Sequence, residues 1–119
     1  MVLPVVKFGD PVLRRKGAKI ESITPEVRQL IADMFETMEA ARGVGLAAQQ
    51  VGQAVQLTVI DVRGIKERPS QLWLDQQPAD VEAFMPLVLI NPVIRPVGPS
   101  ERGPEGCLSF PELYAEIAR

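Results

Sequence analysis

Val27, Leu30, Ile31, Met34, Phe35, Met38 and Ala41 recur at three- and four-residue steps. That spacing lays one apolar stripe along a 3.6-residue helix. The flanks agree with it: Thr24 can cap the start, Pro25 suits the first helical position, and Glu26 favours the positive N-terminal end. Gly43 after Arg42 is a natural stop. The pattern predicts a helix over about 25–42 whose stripe faces a core. Val55 to Val62 has period two instead, with Thr58, Ile60 and Val62 on one face and Val55, Leu57 and Val59 on the other. Both faces are apolar, which predicts a strand buried on both sides, with Asp61 exposed at an edge or paired. Leu87–Asn91 reads as a short buried strand ended by Pro92, with Val93 and Ile94 continuing it beyond the kink. Leu113 to Ile117 reads as extended.

Turn residues separate these elements. Residues 5–23 carry Gly9-Asp10-Pro11 and Arg14-Arg15-Lys16-Gly17, which predict two short extended pieces joined by loops. Residues 63–86 scatter Gly64, Pro69, Pro78 and Pro86 through polar sequence and read as a variable insertion without chemistry. Trp73, between Leu72 and Leu74, is the side chain expected to hold that loop to the body. Pro96, Gly98, Pro99, Gly103 and Pro104 predict a rigid loop. The tally is one long helix with three or four strands, in one domain or most of one. A stripe of large apolar side chains is worth about 1.5–3 kcal/mol per buried residue, and so few strands offer it little surface. Part of the core is therefore expected beyond residue 119.

Composition narrows the function classes. Thirteen basic against fifteen acidic residues give a formal charge of −2, with no polybasic run; there is no electrostatic signal for nucleic acid or an anionic membrane. The N-terminal apolar run is broken by Pro4 and Lys7, too short for a signal-peptide core, and no stretch approaches a membrane span. A single cysteine points to a reducing compartment, hence a soluble cytoplasmic protein. The chain has no histidine, which excludes Ser-His-Asp and Cys-His nucleophilic machinery and any imidazole-ligated metal site built from these residues alone.

Alone, Cys107 reads as a small buried hydrophobe and Gln50 as an exposed loop amide. Their surroundings change that. Gly43-Val44-Gly45-Leu46-Ala47-Ala48-Gln49-Gln50 places two glycines a residue apart before small side chains, a backbone that something approaches closely. It lacks the Gly-Lys-Ser/Thr of a nucleotide loop. Glu105-Gly106-Cys107-Leu108-Ser109-Phe110-Pro111-Glu112 surrounds the one cysteine. In this order, after the long helix, the two octets resemble the first and second motifs of the peptide deformylase family. The resemblance covers the whole chain and corresponds to the N-terminal part of such a protein.

The resemblance implies an α+β fold, antiparallel and mixed strands around a central metal-binding helix that is not among these residues. It implies metal-dependent hydrolysis of the N-formyl group from the formylmethionine of nascent polypeptides. The cofactor would be one divalent ion, iron (Fe2+) in the family's bacterial members and replaceable by zinc, nickel or cobalt (Zn2+, Ni2+, Co2+). Cys107 would be its thiolate ligand. Gln50 and the backbone N–H of Leu108 would stabilise the oxyanion. Val44, Gly45 and Gly106 would lie along an N-formyl-methionyl peptide bound as an added strand. Glu105 would orient the loop or stand as a solvated charge. The ribosome is the implied partner of the full-length protein.

One departure stands out. The family's third motif, His-Glu-x-x-His, would supply two ligands and a catalytic glutamate, and it is absent. Asp61, Glu112 and Glu116 have no spacing that makes a substitute ligand pair. With Cys107 alone, weak metal affinity and no activity are expected. Three expectations follow: a truncated and inactive portion of a deformylase, a non-catalytic formyl-peptide-binding homologue, or one part of a split enzyme.

Overall fold

Helix α1 runs from Pro25 to Ala40, with Thr24 Oγ1 accepting from the N–H of Val27 at 3.2 Å. It occurs in a computed structural model that describes residues 1–63 and 72–94, together with the backbone of Arg102–Cys107 and Phe110–Ala118. The helix is shorter than the predicted 25–42, and its stop is built differently. Arg42, not Gly43, takes the left-handed conformation, at φ 56°. Gly43 N–H then donates to Met38 O at 2.9 Å and Arg42 N–H to Glu39 O at 3.1 Å, the paired bonds of a Schellman motif.

The stripe is half covered. Met34 and Met38 are buried, Leu30, Ile31 and Phe35 are partly buried against them, and Ala41 is exposed. Two polar residues beside the stripe are buried as well, Asp33 and Thr37. Both are satisfied, as burial requires. Thr37 Oγ1 donates to Asp33 O at 2.7 Å and accepts from Leu3 N–H at 2.8 Å. Asp33 accepts from Gln29 Nε2 and from the Met1 ammonium, each at 2.9 Å. These contacts fasten the N-terminal segment along α1.

The strands in chain order are β1 (Gly45–Ala47), β2 (Leu57–Ile60), β3 (Leu72–Leu74), β4 (Gln77–Ala79), β5 (Leu87–Ile90), β6 (Arg102–Cys107) and β7 (Phe110–Ala118), with a short helix α2 at Val81–Phe84. They exceed the three or four expected, because hairpins form from the turn-rich stretches. β1, β2 and β5 make one antiparallel sheet in that order. α1 lies against β1 and β2. Met34, Met38, Leu46, Ala48, Val51, Leu57 and Val59 close the core between them. The α+β expectation therefore holds. β2 is shorter than the predicted 55–62 strand, and only its Leu57/Val59 face is fully buried.

Four local expectations are corrected. Residues 5–23 contain no strand; Pro11–Arg14 forms a 3-10 turn capped by Asp10 Oδ1 on Val12 N–H, and Ala18 makes a single parallel bridge to Val55. Val93 and Ile94 do not extend β5. Asn91 turns into the left-handed region at φ 51° and leaves them 92% and 84% exposed. Trp73 does not hold its segment to the body. It is 61% exposed on the two-stranded β3–β4 hairpin. Gly103 and Pro104 belong to β6 rather than a loop; a two-stranded ladder consists of edges, where proline is tolerated. Residues 64–71 and 95–101 lie outside the described residues.

The segment before α1 is held by backbone mimicry. Asn91 Oδ1 accepts from Ile20 N–H at 2.8 Å and Asn91 Nδ2 donates to Ile20 O at 2.7 Å, so one side chain pairs as a strand residue would. Gln56 N–H donates to Ala18 O at 2.9 Å, and Gln56 Nε2 to Gly17 O at 3.0 Å. Gly17 is needed for this approach, since a Cβ there would meet Val55 C at 2.8 Å and Gln56 N at 2.9 Å. Both neighbours are main chain and cannot rotate away. Gly17→Ala is expected to lower the unfolding free energy by about 1–3 kcal/mol, the usual range for overpacking, measured by urea titration; an unchanged midpoint would show that the segment shifts freely.

Candidate functional site

β1 is an edge strand: β2 pairs with one side of it and no strand pairs with the other among the described residues. Which of its backbone groups face outward follows from one bond. Asp61 N–H donates to Val44 O at 2.9 Å, and the register pairs Gly45 with Ile60, Leu46 with Val59 and Ala47 with Thr58. Hydrogen-bonded and non-bonded pairs alternate in an antiparallel ladder. Val44 and Leu46 therefore turn their carbonyls to β2, while Gly45 and Ala47 turn N–H and C=O to the open edge. Leu46 is buried and pins the strand to the core; Gly45 and Val44 are exposed.

Gln50 follows in the 3-10 turn Ala48–Val51, whose Ala48 and Val51 are buried. Its side chain is half-buried and reaches back to the same edge, Oε1 accepting from Ala47 N–H at 3.0 Å. Its main-chain carbonyl accepts from Val6 N–H at 2.8 Å. Gly52, in the left-handed region at φ 85°, closes the turn. Val44 just before β1, Gly45 on it and Gln50 in the turn after it, all named from the sequence, are thus contiguous along the chain. Ala47 was not singled out in the sequence. Its signal was the Ala47-x-x-Gln50 spacing, in which the third helical residue reaches back to the N-cap N–H, half of a capping box.

Opposite the start of β1 sits a charged clip. Arg63 Nη2 donates to Asp61 Oδ2 at 2.7 Å, Arg63 Nε to Asp61 Oδ1 at 3.0 Å, and Arg63 N–H to Asp61 Oδ1 at 3.1 Å. Of the two placements left open for Asp61, this is the paired one. Phe35, Met38, Arg42, Val44, Asp61 and Arg63 line a cleft of about 420 Å³ here.

The second motif lies on the other hairpin. Glu105, Gly106 and Cys107 are the last residues of β6; Gly106 pairs with Tyr114 and Cys107 with Phe110, with a register irregularity between Gly106 and Cys107. Among the described residues, no strand pairing joins this two-stranded sheet to β1. Leu108 lies outside the described residues. The ligand set implied for a metal does not fit this chain. There is no histidine in 119 residues, and among the described residues no group of three or more His, Cys, Asp or Glu side chains lies together.

The described residues form a small α+β domain with an open strand edge, a glutamine arm beside it and, on a separate hairpin, a cysteine at a strand end. The sequence profile of the polypeptide deformylase family matches residues 2–119, and the chain belongs to that family. It is 48% identical over 119 residues to a peptide deformylase of Methylacidiphilum infernorum, covering 100% of this chain and 62% of the relative. A peptide deformylase of Opitutus terrae is 41% identical over 122 residues, again with 62% of its length covered. Among solved structures, a peptide deformylase from Synechococcus elongatus in complex with actinonin superposes with a TM-score of 0.78 at 40% identity, over 98% of this chain and 54% of that one. One from Legionella pneumophila gives 0.80 at 33% identity, over 100% and 60%. The chain thus spans less than two thirds of the length of these relatives.

Hydrogen bonds from Arg63 hold the Asp61 carboxyl below the ordinary carboxylate range, and Asp61 in turn raises the Arg63 guanidinium. A carboxylate with a lowered folded pKa stabilises the fold above its unfolded value, about 3.9. That contribution is lost as pH falls through the folded value. In Arg63→Ala the Asp61 titration, followed by carboxyl carbon NMR, is expected to move up, and the acid-induced loss of stability to become shallower. An unmoved Asp61 titration would contradict the clip.

Proposed function

We propose that this chain supplies the peptide-binding edge and an oxyanion donor of a peptide deformylase acting on N-formylmethionyl peptides. Deformylation breaks the formamide C–N bond by addition of water, giving formate and a free α-amine, and passes through a tetrahedral carbon carrying an oxyanion. Gln50 is the donor of this chain best placed for that charge. Its oxygen is committed to Ala47 N–H, and Nε2 carries its N–H bonds. The Leu108 N–H is proposed as the second donor.

The peptide is proposed to add as a strand beside Val44 and Gly45. With its formyl end at Gln50, downstream of β1, it must run antiparallel to β1 toward Val44, and Gly106 is proposed to lie along it. Cys107 is proposed as one thiolate ligand of a divalent ion such as Fe2+ or Zn2+. Two further ligands must come from outside these 119 residues, and no step is assigned here to the ion.

The observation that carries this reading is Gly45. Among the described residues, a Cβ there would meet nothing tighter than Val59 O at 3.8 Å and Ile60 Cγ1 at 4.0 Å, which is ordinary contact. Unlike Gly17, this glycine is not required by packing against the described residues, and the residue faces the open edge. Gly45→Ala is expected to leave the thermal midpoint unchanged and to weaken binding of a formyl-Met-Ala-Ser peptide about tenfold or more, as loss of backbone hydrogen bonds would. Calorimetry on both proteins measures it. Unchanged affinity would sink the strand-addition reading.

The lack of histidine favours a second reading, a binder of formyl peptides without hydrolysis. Formate release by the protein in its native form, supplied with ferrous ion, separates the two. For the 119-residue chain itself, titration with cobalt(II) is expected to give no stoichiometric thiolate-to-metal absorption. A one-to-one tetrahedral complex would contradict the ligand count.

A further inference from the structure

We infer that the backbone N–H of Ala47 is the positioning group that makes Gln50 a dedicated hydrogen-bond donor at the formyl site. The inference rests on the reading of Gln50 as an oxyanion donor. A carboxamide has two ends of nearly equal shape, one accepting and one donating, and a glutamine free to turn would offer either to a ligand. Here the choice is removed. Ala47 N–H stands 3.0 Å from the carboxamide, and only an oxygen can meet it. Turning the group over would set N–H against N–H, so the side chain presents Nε2 away from the strand.

The frame behind this contact is firm on both sides. Ala48 and Val51 sink the 3-10 turn into the core, and Gln50 O accepts from Val6 N–H at 2.8 Å. Gln53 N–H donates to Ala48 O at 3.0 Å, and Gly52 N–H to Gln49 O at 3.0 Å. The donor itself is available because Ala47 faces the open edge of β1, where β2 makes no claim on it. The same bond sets a register. A peptide strand that continued past Gly45 would take the Ala47 N–H and release Gln50. The added strand therefore stops at Gly45, and its formyl end lies beside the carboxamide. The ordinary alternative is a half capping box that only steadies the turn, and that role carries stability without formyl selectivity.

Ala47→Pro deletes the donor at the cost of a local backbone adjustment: Ala47 is at φ −93°, beyond proline's usual range near about −65°, while Leu46, in a strand, is in the region favoured before proline. In the protein in its native form, two readouts are compared between wild type and variant. One is the ratio of affinities for formyl-Met-Ala-Ser and Met-Ala-Ser; the other is the pair of Gln50 Nε2 proton resonances. Ala47→Pro is expected to cut the ratio about tenfold, equivalent to about 1.4 kcal/mol, and to shift both Gln50 resonances from their wild-type positions. A folded variant that keeps the ratio and the resonances overturns the inference and leaves Gln50 as donor intact. A wild type without preference for the formylated peptide overturns the reading of Gln50, and this inference with it. If the proline variant does not fold, replacing Ala47 with lactic acid, a backbone ester that removes only the N–H, gives the same readouts and the same two outcomes.

Discussion

β1 is three residues long and, among the described residues, paired with another strand on one side only, and everything proposed for this chain depends on that asymmetry. Backbone N–H and C=O groups need partners, and an edge strand offers its unpaired row to whatever can pair with it. On this edge Ala47 gives its N–H to Gln50 and Gly43 gives its own to the end of α1. What remains is short, centred on Gly45, and bounded by those two bonds. A three-residue edge is too short to template a long strand, but it suits a few residues of a passing peptide.

So short a strand has no stability of its own. Leu46 anchors it, fully buried among Met34, Met38 and Val59, and the Schellman turn at Arg42 delivers the chain from α1 directly into it. The Asp61–Arg63 clip fixes the residue that pairs with Val44. On the far side, Val6 holds the main chain of Gln50, while Asn91 and Gln56 tie the N-terminal segment across the sheet. The many backbone and side-chain bonds around a core of seven buried apolar residues explain how a small hydrophobic cluster can position a site.

The sequence was most legible where local chemistry and tertiary packing agree. Thr24, Pro25 and the Met34/Met38 spacing located α1 because capping and burial act on the same residues. Its end was misread at Gly43 because the left-handed position fell one residue earlier, on Arg42, where the bonds to Met38 and Glu39 set the turn. Trp73 departs from expectation because apolar character says that a side chain gains from burial, not that a partner is there; on its hairpin it stands 61% exposed. Of the candidate site, the motif residues Val44, Gly45 and Gln50 fall just before β1, on it and in the turn after it, whereas the direction in which Gly45 and Ala47 face depends on ladder parity, which no residue type encodes. Asp33 and Thr37 escaped notice because their partners, Met1 and Leu3, lie about thirty residues away, with no pattern linking them.

The family assignment rests on residues 2–119, and the proposed activity rests on a strand edge. Backbone amide shift mapping of the protein in its native form, titrated with formyl-Met-Ala-Ser, tests the central claim most directly. The account predicts that the largest changes fall on Val44, Gly45, Ala47 and Gln50 and stop before the interior of α1. Changes centred on the Trp73 hairpin, with the β1 edge silent, would contradict it.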